Sequence, residues 1–212
     1  MSGLTALELR MRQVGPWSMN TYALVCPTTG QSVLIDPGDD PLVLTEMMTG
    51  TIPVAILLTH THGDHIGALD EMRTQLNVPV AAFDGPHFGG MSLNVQIPLR
   101  DGELFSVGHH ALRVYHAPGH IPDQVCFYLE GDTRAIVGDT LFDGGPGRTW
   151  SEEDFRRTLV TLREVVLPWP DDTICYPGHG PSFRLGDRRA QIEAFLARDH
   201  DDFFGDATWE MI

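Results

Sequence analysis

The stretch Thr59-His60-Thr61-His62-Gly63-Asp64-His65 directly follows the apolar run Pro53 to Leu58. It places three imidazoles and one carboxylate within six consecutive positions, a dense set of the nitrogen and oxygen ligands that zinc and iron accept. The spacing H-x-H-x-D-H should arise in only about 0.2% of random chains of this composition. The stretch therefore predicts a metal site at the end of a strand.

The spacing inside this stretch favours two metal positions over one. His60 and His62 are two residues apart, so in extended chain their side chains point the same way and can share one ion. Gly63 permits a turn, and that turn directs Asp64 and His65 elsewhere.

Three later motifs, taken with the first, make the sequence resemble the metallo-β-lactamase superfamily. The motifs follow the superfamily's order along the chain, and the resemblance extends from about Asn20 to Pro181. They are His116-Ala117-Pro118-Gly119-His120, Val137-Gly138-Asp139-Thr140-Leu141-Phe142 and Tyr176-Pro177-Gly178-His179-Gly180.

This resemblance implies an α/β fold, a four-layer αββα sandwich with the site at one edge of its two sheets. It also implies seven metal ligands. The first ion would be held by His60, His62 and His120, the second by Asp64, His65 and His179, and Asp139 would bridge the two. Two divalent ions are expected, with zinc in first place and iron or manganese admitted by the mixed nitrogen and oxygen ligands.

The activity implied by the resemblance is hydrolysis of a small thioester or ester. Two divalent ions can lower the pKa of a bridging water towards 7 and deliver hydroxide at neutral pH. Asp64 and Asp139 are the predicted catalytic residues, and Asp64 would also orient the attacking hydroxide. The segment Gly144 to Thr149 looks most like glyoxalase II, the hydroxyacylglutathione hydrolase, and its short bacterial relatives.

Candidate substrate contacts follow in the same segment. Arg148 stands where a basic contact is expected and Trp150 where an aromatic one is expected, although Arg148 equally suits a structural pairing with a nearby acid. The residue after the last motif is Pro181, which leaves no tyrosine for a glutathione contact. The roles of Asp123 and Gln124, which depart from the family's pattern after His120, are left open.

Other activities compete with this hypothesis. Persulfide dioxygenases share the Gly147-Arg148-Thr149 stretch and bind a single iron, so a mononuclear iron oxidoreductase is the leading alternative. A lactonase fits less well, because the Gly147-Arg148-Thr149 stretch favours thioester or glutathione-linked substrates. A non-catalytic scaffold also fits less well, because all seven candidate ligands are present.

Charge and composition exclude further classes. The net charge is −15, and all 14 Lys plus Arg residues are arginine, because the sequence contains no lysine. Schiff-base and P-loop chemistry are therefore excluded. Proteins bind nucleic acid largely through Lys and Arg side chains that neutralise phosphates. A chain with a net charge of −15 is therefore not expected to bind nucleic acid.

Length and hydropathy predict one soluble, cytoplasmic domain over residues 1–212, without the extra C-terminal helical domain of full-length glyoxalase II. No apolar run approaches 18 residues, so no membrane partner is expected. Cys26, Cys126 and Cys175 lie in or beside apolar runs and are predicted to be buried thiols. The sequence leaves the oligomeric state undetermined.

Apolar runs bounded by turn residues predict strands interleaved with helices. The predicted strands are 22–26, 32–35, 53–58, 103–107, 111–115, 124–129, 134–137 and 173–176. Helices are predicted over 42–48 behind an Asp39-Asp40-Pro41 cap, after His65, from Ser151 to about 166, and over 187–197.

The remaining polar candidates receive structural roles. Asp36 is predicted either to orient a metal ligand or to cap a turn. His116 is predicted to be a structural residue at a strand end. Four more histidines have no ligand context, namely His87, His109, His110 and His200.

Overall fold

Two six-stranded sheets pack face to face, and helices cover the outer face of each. The computed structural model describes residues 5–211. Residues 1–4 and 212, which the predicted domain includes, lie outside the described residues. The observed layers confirm the expected αββα sandwich.

The first sheet is built by the N-terminal half of the chain. Its strands, in spatial order, are β1 (Glu8–Val14), β2 (Met19–Val25), β3 (Gln31–Ile35), β4 (Ile52–Leu57), β5 (Val80–Phe83) and β6 (Ile97–Leu99). The first three are antiparallel, and β3 to β6 run parallel. Its helices are α1 (Pro41–Met48), α2 (Gly63–Ile66) and α3 (Leu69–Leu76).

The second sheet is built by the C-terminal half. Its strands are β7 (Leu104–Val107), β8 (His110–His116), β9 (Val125–Leu129), β10 (Arg134–Gly138), β13 (Ile174–Pro177) and β14 (Phe183–Arg184), and the spatial order runs from β14 through β13, β10, β9 and β8 to β7. β10 and β13 are parallel neighbours, whereas the other pairs are antiparallel. A short ribbon, β11 (Leu141–Phe142) with β12 (Gly145–Pro146), follows β10.

The helices of this half pack on the outer face of the second sheet. They are α4 (Glu152–Thr161), which continues into a π-helical turn over 162–166, and α5 (Leu185–Leu196). Ser151 caps α4 as predicted, because its hydroxyl accepts the backbone N–H of Asp154 at 3.2 Å.

Alternation along the strands divides the core into three layers. On β2, Tyr22 and Leu24 point between the sheets, where they meet Phe127 of β9, whereas Ala23 faces α1 and α3. Phe195 of α5 belongs to the third layer, beneath the second sheet. This packing holds the two sheets together at the edge where the loops after β4, β10 and β13 lie.

The predicted positions of the N-cap acid and the N1 proline of α1 are confirmed, but the expected side-chain cap is not formed. Asp40 occupies the N-cap position in the left-handed region (φ 51°), but its side chain makes no capping hydrogen bond. Its Oδ2 instead accepts the backbone N–H of Gly15 at 3.0 Å, which joins the turn after β1 to this loop. The Asp40 carboxylate therefore binds a backbone N–H distant in sequence instead of one in the first turn of α1.

The three cysteines are buried free thiols, as predicted. None of the helices within residues 5–211 combines the length and apolar character needed to span a bilayer.

Candidate metal centre

The predicted ligands lie on loops that follow strands of both sheets. The histidine-rich stretch continues from β4 into α2, and His120 lies in the connection between β8 and β9. Asp139 follows β10 and His179 follows β13. Because β10 and β13 are parallel neighbours, their carboxyl ends bring these two side chains to one edge.

Three histidines form the first cluster. His62 Nδ1 lies 3.1 Å from His60 Nε2 and 2.8 Å from His120 Nε2. Their ring nitrogens can all face one ion. The structure thus brings together the residues that the sequence assigns to the first metal.

The second cluster is formed by Asp64, His65 and His179. His179 Nε2 lies 3.1 Å from Asp64 Oδ2. Asp139 lies between the clusters: its Oδ1 is 3.4 Å from His65 Nε2, and its Oδ2 is 3.6 Å from His120 Nε2 and 3.8 Å from His179 Nε2. A carboxylate in this position can contact ions on both sides.

Hydrogen bonds on the far side of four rings direct their Nε2 atoms towards the centre. His120 Nδ1 donates to the Arg148 carbonyl at 2.8 Å, and His179 Nδ1 donates to the Trp17 carbonyl at 3.2 Å. Such outer contacts fix the tautomer of a metal-binding imidazole.

Asp36 and Thr59 hold the other two rings in the same way. Thr59 donates its hydroxyl hydrogen to Asp36 at 2.6 Å, so its oxygen can accept from His60 Nδ1 at 3.0 Å. His65 Nδ1 donates to Asp36 Oδ2 at 2.9 Å. Asp36 also accepts the Thr59 backbone N–H at 2.7 Å, so these hydrogen bonds join Asp36 to the metal loop rather than cap its own turn.

The first cluster consists of neutral imidazoles. Burial lowers the pKa of His60 well below its usual value and also lowers that of His120. Burial and the neighbouring His120 lower the pKa of His62 to about 4. Neutral imidazole is the form that binds metals, so these rings present free lone pairs at pH 7.

The second cluster attracts positive charge. Burial opposes the charged form of His65, but Asp139 and Asp36 raise its pKa to about 10. Burial also opposes ionisation of Asp139, but His65 lowers the pKa of this carboxyl to about 2. Burial similarly opposes ionisation of Asp64, and the hydrogen bond from His179 outweighs it and lowers the pKa.

Three buried atoms of the candidate ligands lack hydrogen-bond partners, one of them His62 Nε2; the other two lie face to face at the centre and support a metal there. These two are His65 Nε2 and Asp139 Oδ1. An unpaired buried polar atom is costly, and a cation between these atoms would satisfy both. The absence of a side chain at Gly178 leaves room for Asp139 and His65 at the centre, because a Cβ at this position would collide with both. The donor set and its environment fit divalent metal ions.

An open cavity of about 760 Å³ lies above the two clusters. Asp64, His62, His120, Asp139 and His179 line it on the metal side. This volume lies in the range of small-molecule sites.

Arg148 and Trp150, the candidate substrate contacts, both line the cavity. Arg148 also has the structural pairing that the sequence left open, since its Nη1 lies 3.1 Å from Asp206 Oδ2. Its guanidinium carbon lies 4.8 Å from the centroid of the Trp150 ring.

Several contributors lie outside the motifs and were not predicted. Trp17 and Phe88 line the cavity, but neither lies in a periodic pattern. Asn20 Nδ2 donates to the carbonyls of Pro177 and Gly180 at 3.0 and 2.8 Å, so β2 fixes the loop that carries His179. Asn20 gives no signal in the sequence, because its role depends on contact between distant segments.

Asp123, whose role the sequence left open, is buried beside the histidine loop. Its Oδ2 accepts the Thr61 hydroxyl at 2.6 Å, and the Thr61 oxygen accepts the backbone N–H of Phe88 at 2.9 Å. The Phe88 ring in turn lies 4.3 Å from the His62 ring, centroid to centroid. Asp123 thereby connects one cavity wall to a candidate ligand.

Gln124 and His116 contact the protein interior rather than the centre. Gln124 Nε2 donates to the Val125 carbonyl at 2.9 Å. His116 ends β8, stacks on Phe83 and donates from Nε2 to the Pro122 carbonyl at 2.8 Å. None of the other four histidines belongs to a possible metal cluster found within residues 5–211.

Comparisons with known proteins show the family and agree with the fold. A family model described as the metallo-beta-lactamase superfamily matches residues 14–197. The probable metallo-hydrolase YqgX of Bacillus subtilis (strain 168) is 34% identical over 198 residues, which cover 82% of this chain and 91% of YqgX.

A second relative is the probable hydroxyacylglutathione hydrolase glo2 of Schizosaccharomyces pombe (strain 972 / ATCC 24843). It is 30% identical over 165 residues, which cover 74% of this chain but 62% of glo2. The matched region is thus less than two thirds of that relative.

Among solved structures, TTHA1623 in a di-iron-bound form superposes with a TM-score of 0.71 at 32% identity. The superposition covers 85% of this chain and 96% of TTHA1623.

Proposed function

Since the chain belongs to the metallo-beta-lactamase superfamily, we propose that it is a dinuclear metallohydrolase that cleaves a small thioester or ester, in the manner of glyoxalase II. The observation that carries this proposal is the position of Asp139 between two complete clusters, with one oxygen facing His65 and the other facing His120. The similarity to glo2 supports the reaction class.

The two clusters would each hold one divalent ion. His60, His62 and His120 would bind the first, Asp64, His65 and His179 the second, and Asp139 both. When bound, such ions supply hydroxide at neutral pH and polarise the substrate carbonyl. Zinc is the expected ion, and iron is the alternative that the di-iron form of TTHA1623 supports.

The protein's own side chains prepare the site for this reaction. Asp64 remains ionised, because the hydrogen bond from His179 lowers the pKa of its carboxyl, so it can orient the nucleophile at the cavity floor. Asp139 remains ionised beside His65. Arg148 and Trp150 stand above the first cluster, where they can contact the bound substrate.

The second cluster supports the dinuclear hydrolase, and the mononuclear iron dioxygenase stands as the alternative. That chemistry needs one redox-active iron with open positions for oxygen and substrate. Here His179 Nε2 lies 3.1 Å from Asp64 Oδ2, and a hydrogen bond to Asp36 orients the His65 ring. A second complete ligand set is what a dinuclear hydrolase needs.

The test is a thioester assay run beside an oxygen electrode on one preparation of known metal content. We expect thiol release from an acyl thioester, with about two ions per chain, and no oxygen uptake when glutathione persulfide is offered. Oxygen uptake that follows iron content, without thioester cleavage, would overturn the proposal. His109→Ala, an exposed histidine outside the site, is the matched control for histidine ligand variants.

A further inference from the structure

Exposed aromatic side chains are concentrated around the cavity. Four aromatic residues stand out as exposed large hydrophobic side chains within residues 5–211, and three of them line this one cavity: Trp17, Phe88 and Trp150. Trp17 is 71% exposed, Trp150 51% and Phe88 38%. Aromatic surface gathered in one cavity is typical of a groove that binds an apolar ligand group.

These rings lie beside the proposed reaction site. The Phe88 ring centroid is 4.3 Å from that of His62, and the Trp150 centroid is 6.2 Å from it. Val14 and Met19 extend the apolar wall on the Trp17 side. A substrate whose carbonyl reaches the metal centre would therefore place the adjoining group against apolar surface.

The charged side chains that line the cavity disfavour binding of a negatively charged group in the part of the substrate that does not contact the metal centre. Arg148 is the one arginine among the residues that line the cavity in the described part of the chain. It is already paired with Asp206 at 3.1 Å and lies against the Trp150 ring. Asp39 adds a negative charge to the same lining.

Glutathione would meet this lining with two carboxylates and one ammonium group. A carboxylate that leaves water without a cationic partner pays a desolvation penalty. The aromatic rings would meanwhile lack an apolar group to cover them. Both features favour a substrate that is uncharged and carries an apolar group.

We propose that the substrate is a thioester or ester whose acyl group is apolar and whose thiol or alcohol part carries no net charge, rather than a glutathione conjugate. The inference rests on the proposed hydrolase function for its reaction. It assigns Trp17, Phe88 and Trp150 as residues that determine specificity.

The first test compares the same acyl group on two thiols in the metal-loaded protein. S-lactoylglutathione is compared with the lactoyl thioester of N-acetylcysteamine, an uncharged thiol, by kcat/KM. We expect the uncharged thioester to be at least about tenfold better. A kcat/KM that favours S-lactoylglutathione would overturn this inference and leave the hydrolase function standing.

The second test lengthens the acyl group on N-acetylcysteamine from acetyl to butyryl and hexanoyl. We expect kcat/KM to rise by up to about fourfold per methylene, the factor for complete burial of one such group. In Trp17→Ala and Phe88→Ala the rise per methylene should shrink. Leu104→Ala, exposed on β7 outside the cavity, should keep it. A rise that the two aromatic variants leave intact would contradict the assignment.

A binding measurement separates failure of this inference from failure of the reaction. S-hexyl N-acetylcysteamine and S-hexylglutathione are thioethers, so neither can be hydrolysed, and tryptophan fluorescence can follow the binding of both. We expect tighter binding of the uncharged thioether, with or without metal. If neither thioesters nor the corresponding esters are cleaved, the hydrolase proposal fails. The order of these two affinities still decides the inference about the cavity.

Discussion

Asp36 and His65 share a hydrogen bond of 2.9 Å in which the side chains are 2% and 0% exposed. The same carboxylate accepts both the backbone N–H and the hydroxyl of Thr59. Asp36, at the end of β3, therefore orients two candidate metal histidines from the interior, His65 directly and His60 through Thr59.

Removal of the Asp36 charge should weaken metal binding. In Asp36→Asn the His65 ring loses a charged acceptor, and loss of such an outer partner typically costs about 10-fold to 100-fold in metal affinity. The affinity can be measured by competition with a chromophoric chelator. Asp132→Asn is the control, because this carboxylate pairs with Arg134 rather than with a ligand. Equal affinities in the two variants would remove the orienting role.

Loss of a central ligand should abolish hydrolysis while the domain stays folded. Loss of a residue that only orients a metal ligand already costs up to about 100-fold. We therefore expect Asp139→Ala and His62→Ala, which remove ligands themselves, to lower kcat/KM by more than that. The apolar layers do not include these side chains, so circular dichroism should remain that of the wild type. Substantial activity in either purified variant would exclude the proposed site.

Metal removal should lower the melting temperature. The clusters join loops from both sheets, so an ion bound to the native state alone stabilises it by mass action, about 4 kcal/mol at a free concentration of 1,000 Kd. Calorimetry before and after chelation, followed by zinc addition, measures the effect. Identical melting temperatures would mean that the native state binds no metal.

A methyl group at position 178 should displace metal ligands. In Gly178→Ala the new Cβ would meet Asp139 Oδ1 and the His65 ring, so we expect fewer than two ions per chain by elemental mass spectrometry. Gly144→Ala is the matched control, since nothing lies within 4 Å of a Cβ there. Full metal content in Gly178→Ala would show that the loop can move aside.

Asp123 should act on substrate binding rather than on the metals. Asp123→Ala removes the acceptor that fixes the Thr61 hydroxyl, and this hydroxyl oxygen in turn holds the Phe88 backbone. We expect KM for the hexanoyl thioester to rise several-fold while metal content stays at the wild-type value. Thr61→Val should reproduce the effect, because it breaks the same connection. A loss of metal in both variants would instead assign Asp123 to the metal centre.

Much of the fold could be predicted because its strands are apolar runs that end at turn residues, as 32–35 and 53–58 show. The convergence of His60, Asp139 and His179 could be predicted from the resemblance of their motifs, in order along the chain, to those of the superfamily. Strand ends gather at one edge of a sandwich, and the observed clusters agree with that arrangement.

The cavity walls and the hydrogen-bond partner of the Asp40 side chain could not be predicted in this way. Trp17 and Phe88 come from turns far apart in the chain, and only tertiary packing brings them over the centre. Local preference favoured Asp40 as a helix cap, yet the Gly15 N–H offered its carboxylate a different partner. Both cases depend on contacts between segments that share no periodic pattern.

The order of the ligands along the chain has a consequence for biosynthesis. A ribosome adds roughly 5–20 residues per second, so His60, His62 and His120 emerge well before His179. A nascent chain that ends after residue 130 carries the three histidines of the first cluster, but it lacks both Asp139 and β13. The second cluster can close only once the C-terminal half has folded against the N-terminal half. Prematurely terminated chains of this kind also lack the Arg148 carbonyl that orients His120, so they cannot assemble the dinuclear centre.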